Sequence, residues 1–253
     1  MEQFIQLFTD GLSTGSIYGA LALAIVLVNQ ATGMINFAQG GMAVLSGYIA
    51  LSLLDAGLPL ILALLISMAA SFVIGALVER VLIRRFEGGD PDTAIVVTVG
   101  LLTLVTGLSA WIWSYDNQQF PSLFPDSSMN FLGAHVSVRA LGTFAVIVVI
   151  MVALQLLFSS TKFGLALRAV SINPNSSAYS GLPVGKLLMA GWGLAAALGA
   201  VAGILVAPQL SLSPGMMDSA LVYALAAVII GGMTSPIGAV VAADLVAPAR
   251  RAG

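Results

Sequence analysis

The stretch ALGTFAVIVVIMVALQLLF, residues 140–158, decides the fold class of this chain. A helix needs about 20 apolar residues to cross a hydrocarbon core of about 30 Å, and this stretch provides them without a charge. Its apolar residues are continuous, whereas a barrel strand would alternate apolar and polar side chains. Because backbone polar groups in lipid must be paired within the segment, the stretch predicts a transmembrane helix.

Composition extends this conclusion to the whole chain of 253 residues, of which 59% are hydrophobic and 8% are charged. Soluble domains carry about 25% charged residues, so an ordinary cytosolic enzyme is excluded. A net charge of −2 provides no basic patch for nucleic acid. There is no cysteine, and the lone histidine, His135, cannot by itself hold a metal. We therefore predict no catalytic residue, no metal site and no cofactor.

Charge-free runs give the number of crossings. The first run is long enough for two helices and each of the others for one, which predicts an all-α polytopic bundle of about seven transmembrane helices in a single domain, 1–253. The first ten residues lack lysine and arginine, so we expect the first helix to remain in the mature protein. The runs are 11–54, 56–78, 93–115, 140–161, 187–217 and 219–243.

Basic residues set the orientation. Arg80, Arg84 and Arg85 lie in the loop 79–92, and a second loop, 162–186, has basic residues and no acid. Two predicted helices separate these loops, so both fall on one side, which the positive-inside rule makes cytoplasmic. The link 29–40 then faces the same side, and the polar stretch 116–135 forms an external loop.

Polar residues and glycines interrupt the first long run between residues 29 and 41 without any charge. Irregular backbone at membrane depth is tolerated where protein buries it or where it lines a cavity. Both a buried re-entrant turn and a substrate-pathway element fit. The pathway candidates are Asn29, Asn36, Gln39 and Gly40.

A second interruption, IGGMTSPIG at 230–238, contains Pro236, which disfavours helix at the residue before it. Gly-rich breaks in both halves of a chain are typical of transporters. Elsewhere, glycines four residues apart let helix backbones approach closely and predict tight packing. These packing glycines are Gly11, Gly15, Gly19, Gly199 and Gly203.

The second basic loop contains a predicted short helix, 161–170, ended by Asn173-Pro174. Its apolar residues around Arg168 could lie at the lipid interface or dock into a cytoplasmic subunit. The chain has no phosphate-binding loop sequence, so it cannot hydrolyse ATP itself. No acid or lysine lies in the middle of a clear span, which disfavours an ion-driven mechanism.

Three stretches together resemble the permease subunits of bacterial ATP-binding-cassette importers for branched-chain amino acids, some of whose relatives carry urea or other amides. GMINFAQG (33–40) followed by LSGY (45–48) is similar to the first signature of that family. TKFGLALRAV (161–170), NP (173–174) and AYSGLP (178–183) resemble its coupling loop, and IGGMTSPIGA (230–239) its late glycine-rich signature.

The resemblance implies a multi-pass subunit of the bacterial inner membrane. It would pair with a second permease subunit, two cytoplasmic ATPase subunits that use ATP, and a periplasmic substrate-binding protein. It also implies that the predicted short helix couples to the ATPase and that replacing Leu167 and Arg168 abolishes stimulated ATP hydrolysis. A self-sufficient channel and a permease for urea or short amides are the alternatives. The implied coupling residues are Phe163, Gly164, Leu167, Arg168, Ala169 and Gly181.

The chain departs from that family near its end. The resemblance implies some tens of further residues and another helix, so we expect a truncated C-terminus. The stretch from Asp244 to Gly253 contains a charge and reads unlike a membrane span.

Overall fold

The computed structural model describes residues 2–86, 91–125, 127–131 and 134–249. Within these residues the chain forms a bundle of α-helices and one small β-hairpin. The helices are α1 (Glu2–Thr32), α2 (Gln39–Asp55), α3 (Leu60–Val81), α4 (Pro91–Trp113), α5 (Val138–Ser160), α6 (Lys162–Ile172), α7 (Pro174–Tyr179), α8 (Val184–Leu210), α9 (Asp218–Gly231) and α10 (Pro236–Ala249).

Five helical stretches in the described part of the chain are long and apolar enough to cross a membrane: Thr14–Thr32, Leu60–Phe86, Asp92–Trp113, Val138–Ser160 and Val184–Leu210. Helix α2 has 17 residues, which gives a length of about 26 Å. The predicted all-α polytopic membrane fold is therefore confirmed.

The last charge-free run differs from its prediction as a single crossing. It forms two helices of 14 residues each, α9 and α10, joined at residues 232–235. Each is about 21 Å long, shorter than the hydrocarbon core. The two helices pack as a hairpin, because the backbones of Gly231 and Gly238 touch. The interruption that the sequence indicated at 230–238 is thus a complete reversal of the chain.

The stretch from Asp244 onward, which reads unlike a membrane span, begins within a short helix of 14 residues. Helix α10 continues through Asp244 to Ala249. Asp244 contacts Gly15, Val240 contacts Gly19, and Thr234 contacts Gln30, so α10 runs antiparallel along α1. This packing against α1 shields one side of α10, and one acidic residue is accommodated there.

Helix α1 forms the centre of the bundle. Every residue from Gly15 to Val28 is buried, and α8, α9 and α10 surround this helix together with α5. By contrast, α3, α4 and α5 expose apolar side chains, such as Val96 at 70% and Val149 at 67%. A helix that is apolar on all sides belongs inside a bundle, whereas apolar residues that face outward in a membrane protein meet lipid.

Contacts at the two ends of the bundle show which loops lie together. At one end, the Arg84 guanidinium donates to the carbonyl of Gly185, which joins the two basic loops. At the other end, the backbones of Gln118 and Leu212 bond to each other. The predicted external loop also contains an unpredicted hairpin, in which β1 (Ser128–Phe131) pairs antiparallel with β2 (Ala134–Ser137).

Candidate functional site

The break between α1 and α2 is short and built around one turn. Helix α1 ends where Gly33 adopts a φ of +72°, a conformation that side-chain-bearing residues rarely adopt. The hydroxyl of Thr32 donates to the carbonyl of Val28 and accepts from the amide of Met34, at 2.8 and 3.3 Å. These bonds satisfy backbone groups that the helix end leaves unpaired.

Two predicted pathway residues, Asn36 and Gln39, form a buried amide pair in this break. Both have no exposed surface. The Asn36 side-chain amide donates to Gln39 Oε1 at 3.1 Å, and Asn36 Oδ1 accepts from the amide of Ala38 at 3.0 Å. Gln39 Nε2 donates to the carbonyl of Ala195 in α8 at 2.9 Å. The pair therefore fixes the break to α8 in this conformation.

The other two predicted pathway residues lie on either side of the pair. Asn29 is half-buried, and its carbonyl accepts from the amide of Gly33. Gly40 is buried against Met217 and Leu221, the latter in α9. None of the four pathway candidates lines a cavity of about 450 Å³ that lies beside the break. That cavity is lined by Thr32, Met34, Arg84, Val170, Pro174, Asn175, Ala178, Val184 and Leu188.

Gln30 brings the two interruptions together. Its side-chain nitrogen donates to the carbonyl of Thr234 at the tip of the α9–α10 hairpin, and its Oε1 is buried without a hydrogen-bond partner among the described residues. The sequence indicated where both interruptions lie, but it did not identify Gln30 as the residue that joins them. A buried amide beside a Gly-rich break was the signal that could have identified it.

Helix α6 is joined firmly to the rest of the bundle. The hydroxyl of Thr161 accepts from the amide of Gly164 at 3.0 Å and so caps the helix. A methyl group on Gly164 would overlap the carbonyl of Leu157 in α5. Leu167 and Val170 have no exposed surface and pack in the core with α1 and α8. Three positions spaced three residues apart, 164, 167 and 170, thus form the inner face of α6.

The outer face of α6 is uncovered and mixed in character. Leu165 is 69% exposed and Ile172 is 84% exposed, with Arg168 exposed between them. Of the remaining coupling candidates, Phe163 and Ala169 are half-buried and Gly181 is exposed with a φ of +82°. An open groove of about 490 Å³ runs between α6, α7 and the turn that follows α7. Its lining consists of Lys162, Leu165, Ala166, Ala169, Ile172, Asn173, Ser176, Ser177, Ser180 and Leu182.

A partly buried ion pair at the same end was not predicted as part of the site. Arg84 donates from Nε to Glu79 Oε1 at 3.1 Å and from Nη2 to Glu79 Oε2 at 2.8 Å. Glu79 has no exposed surface. The same guanidinium donates to the carbonyl of Gly185 at 2.7 Å, so it ties the end of α3 to the start of α8. From the sequence alone, Arg84 is only one of the positive charges that orient the chain in the membrane.

The structure places four of the predicted packing glycines at close helix contacts. A methyl group on Gly203 would overlap the carbonyl of Ala43 in α2, and one on Gly199 would crowd the Gln39 amide. In α1, Gly15 faces Asp244, and Gly19 faces Val240 and Ala243 at van der Waals distance. Gly11 lies in α1, but its surroundings are outside the described residues.

The fold and these contacts define a multi-pass helical membrane protein with two chain breaks that meet inside the bundle. Residues 7–253 match the family model described as branched-chain amino acid transport system, permease component. A match over almost the whole chain shows the family, and the chain belongs to it.

Curated relatives agree with this family. The chain is 30% identical to the high-affinity branched-chain amino acid transport system permease protein BraD of Pseudomonas aeruginosa, over 99% of this chain and 86% of that relative. It is also 30% identical to the probable branched-chain amino acid transport permease protein LivH of Methanocaldococcus jannaschii, over 87% of this chain and 72% of the relative. The fructose import permease protein FruF of Bifidobacterium longum is 25% identical, over 87% of this chain and 61% of the relative.

Proposed function

We propose that this chain is the translocation subunit of an ATP-binding-cassette importer in a bacterial inner membrane, with branched-chain amino acids as substrates. It would work with a second permease subunit, two cytoplasmic ATPase subunits and a periplasmic substrate-binding protein. Membership of a branched-chain amino acid permease family supports this proposal. The end of the bundle that contains α6 faces the cytoplasm in this proposal, because it carries the two basic loops.

The single observation that carries the proposal is the division of α6 into a locked inner face and a free outer face. Leu167 and Val170 anchor the helix in the core, whereas Leu165 and Ile172 remain exposed beside Arg168. A partner that binds the outer face can therefore move α6 together with the core residues to which it is packed. Exposed apolar side chains with a central arginine are the residue types that bind well in protein interfaces.

Contacts from α6 lead to the break in the membrane. The carbonyl of Ser171 in α6 lies 3.6 Å from where a side chain on Gly33 would begin. Beyond Gly33, the break continues to the Asn36–Gln39 pair, and Gln39 bonds to Ala195 in α8. A shift of α6 would thus be transmitted to the Asn36–Gln39 pair. If the hydrogen bonds of that pair broke, its buried amide groups could bind a substrate. This connection supports the pathway role proposed for Asn36 and Gln39.

The docking proposal is tested by changing only the outer face of α6. In the assembled importer, Leu165→Asp and Arg168→Glu are each expected to weaken ATPase-subunit binding by about tenfold or more, because an acidic group replaces the exposed contact. Stimulated ATP hydrolysis should fall with binding. Tyr115→Asp is the matched control, since Tyr115 is 75% exposed at the opposite end of the bundle. Wild-type ATPase binding by both α6 variants would refute docking at α6.

Leu167 is unsuitable as a probe of docking, although the sequence analysis chose it. Its side chain has no exposed surface and contacts the core beside Gly191. Leu167→Ala would leave a cavity and destabilise the fold by about 2–5 kcal/mol. A loss of transport in that variant would report on folding, so Arg168 and Leu165 are the informative positions.

The substrate is tested separately from the coupling. One relative is named as a fructose import permease, so similarity alone does not identify the substrate that this chain transports. We expect the cognate substrate-binding protein to be stabilised by leucine, isoleucine or valine, and reconstituted transport to follow the same order. Stabilisation by urea or a short amide alone would favour the alternative permease. Uptake by this chain in vesicles without any ATPase subunit would favour a channel instead.

A further inference from the structure

A basic cavity of about 370 Å³ opens at the ends of α3 and α8, outside the break and the α6 groove. It combines three cationic side chains with a small apolar floor. Its lining residues are Arg80, Arg84, Pro183, Val184, Gly185, Lys186 and Met189.

The charges in this cavity are only partly balanced. Arg84 is held by the carboxylate of Glu79, which is fully buried behind it. Arg80 and Lys186 are exposed, and neither forms an ion pair with any residue that the structure describes. A ligand in the cavity would therefore meet the positive charge of the ion-paired Arg84 and of the two exposed side chains, Arg80 and Lys186. An anion is the class of ligand that this cavity fits.

The surface beside the cavity is apolar and follows one side of α3. Val73, Leu77 and Val81 recur every four residues and are 50–57% exposed. Residues spaced by four lie along one face of a helix, so these side chains form a stripe that leads to Arg80 and Arg84. Outward-facing apolar residues on a membrane helix contact acyl chains. A cationic cavity at the end of such a stripe meets a lipid at its headgroup.

We propose that this cavity binds the phosphate headgroup of an anionic phospholipid in the cytoplasmic leaflet. Arg80 and Lys186 would contact the headgroup, and Arg84 would be the fixed cation behind them. The acyl chains would lie along Val73, Leu77 and Val81. Basic cavities between membrane helices on the cytoplasmic side suit such headgroups. The apolar stripe favours a lipid over free phosphate or an acidic protein segment.

The test compares two double variants of the full chain purified in detergent. Arg80→Gln with Lys186→Gln removes two cavity cations and leaves the Glu79–Arg84 pair intact. Lys162→Gln with Arg168→Gln removes the same charge from exposed positions on α6 at the same end. Phosphatidylglycerol and phosphatidylcholine are titrated against each protein, with bound lipid counted by native mass spectrometry and thermal unfolding followed in parallel.

Wild type and the α6 control are expected to bind phosphatidylglycerol equally and to gain thermal stability from it. The cavity variant should bind phosphatidylglycerol about 25-fold more weakly, because each of the two surface cations removed contributes about fivefold to the affinity. Phosphatidylcholine should give no such difference. Equal phosphatidylglycerol affinity in all three proteins would overturn the proposal.

Two further arms separate other anions from the lipid. Inorganic phosphate is added to the wild-type protein with and without phosphatidylglycerol. The lipid assignment would be overturned if phosphate stabilised the protein as much as the lipid does and displaced the lipid. In the assembled importer, loss of ATPase-subunit binding by the cavity variant with unchanged phosphatidylglycerol binding would assign the cavity to a protein contact instead. The opposite result, weaker lipid binding with normal ATPase binding, supports the lipid site and leaves the proposed transport function untouched.

Discussion

The side-chain nitrogen of Gln39 donates a 2.9 Å hydrogen bond to the main-chain carbonyl of Ala195, 156 positions further along the chain. This bond joins the break between α1 and α2 to the interior of α8. Because both groups are buried in an apolar bundle, the bond contributes more here than it would at a wet surface. It connects the predicted pathway to α8, the long helix that follows the proposed coupling loop.

Gln39→Ala is expected to lower the free energy of unfolding by about 1–3 kcal/mol, since Asn36 and Gln39 would no longer satisfy each other. Thermal unfolding of the full chain in detergent measures this loss. Gln119→Ala is the control, because Gln119 is exposed at the opposite end. Equal unfolding of the two variants would contradict a structural role for the amide pair.

Gly203→Ala is expected to separate α8 from α2, because the added methyl group would overlap the carbonyl of Ala43. Overpacking of this kind costs about 1–3 kcal/mol. Gly107→Ala in α4 is the matched change, since no atom lies within 4 Å of its methyl position. That control should be neutral or stabilised by up to about 1 kcal/mol. If both variants lost the same thermal stability, the close contact between α8 and α2 at Gly203 would not be the cause of the loss.

Arg84→Gln is expected to destabilise the protein by about 1–3 kcal/mol, because it leaves the buried carboxylate of Glu79 without its cation, while water reaches the site through the 37% exposed position of Arg84. Adding Glu79→Gln should recover most of that loss, since the second change removes the uncompensated charge. The double-mutant cycle is read from chemical or thermal unfolding. Arg85→Gln, at an exposed neighbouring position, should stay near wild type. Strict additivity of the two changes would argue against coupling between Glu79 and Arg84.

Asp244→Ala is expected to stabilise the fold by about 1–3 kcal/mol. Asp244 Oδ1 is buried against Gly15 and has no hydrogen-bond partner among the described residues, which is a costly arrangement for a carboxylate. Asp55→Ala, at an exposed position, should change stability little. A drop in the unfolding temperature for Asp244→Ala alone would mean that the carboxylate makes a favourable contact in the folded protein.

The sequence predicted the membrane class and the α-helical architecture, and it placed the two basic loops at the same end of the bundle. These properties follow from the distribution of charge along the chain, because transfer of charge into hydrocarbon is unfavourable wherever it occurs. It also located both chain breaks, since glycine and Pro236 act locally on the backbone. The reversal at residues 232–235 was not predicted. A charge-free run of 25 residues fits one crossing as well as two short helices.

The sequence predicted several residues of the candidate site, but it did not predict which residues they contact. Asn36 and Gln39 were identified in the sequence because amides are unusual in an apolar run, whereas the sequence placed Glu79 only within the loop 79–92. The inner face of α6 was also missed, because the sequence does not tell whether Leu167 points to the core or to a partner. Packing against α1 and α8 decides this orientation.

What the sequence by itself determined about this protein is therefore its relation to the bilayer: which stretches are apolar, which loops share an end of the bundle and where the helices break. Only the tertiary structure decided which polar groups meet. Gln39 with Ala195, Gln30 with Thr234 and Arg84 with Gly185 are joined across more than a hundred positions. Hydrophobicity acts on each segment separately, whereas these hydrogen bonds depend on the direction of individual side chains between packed helices.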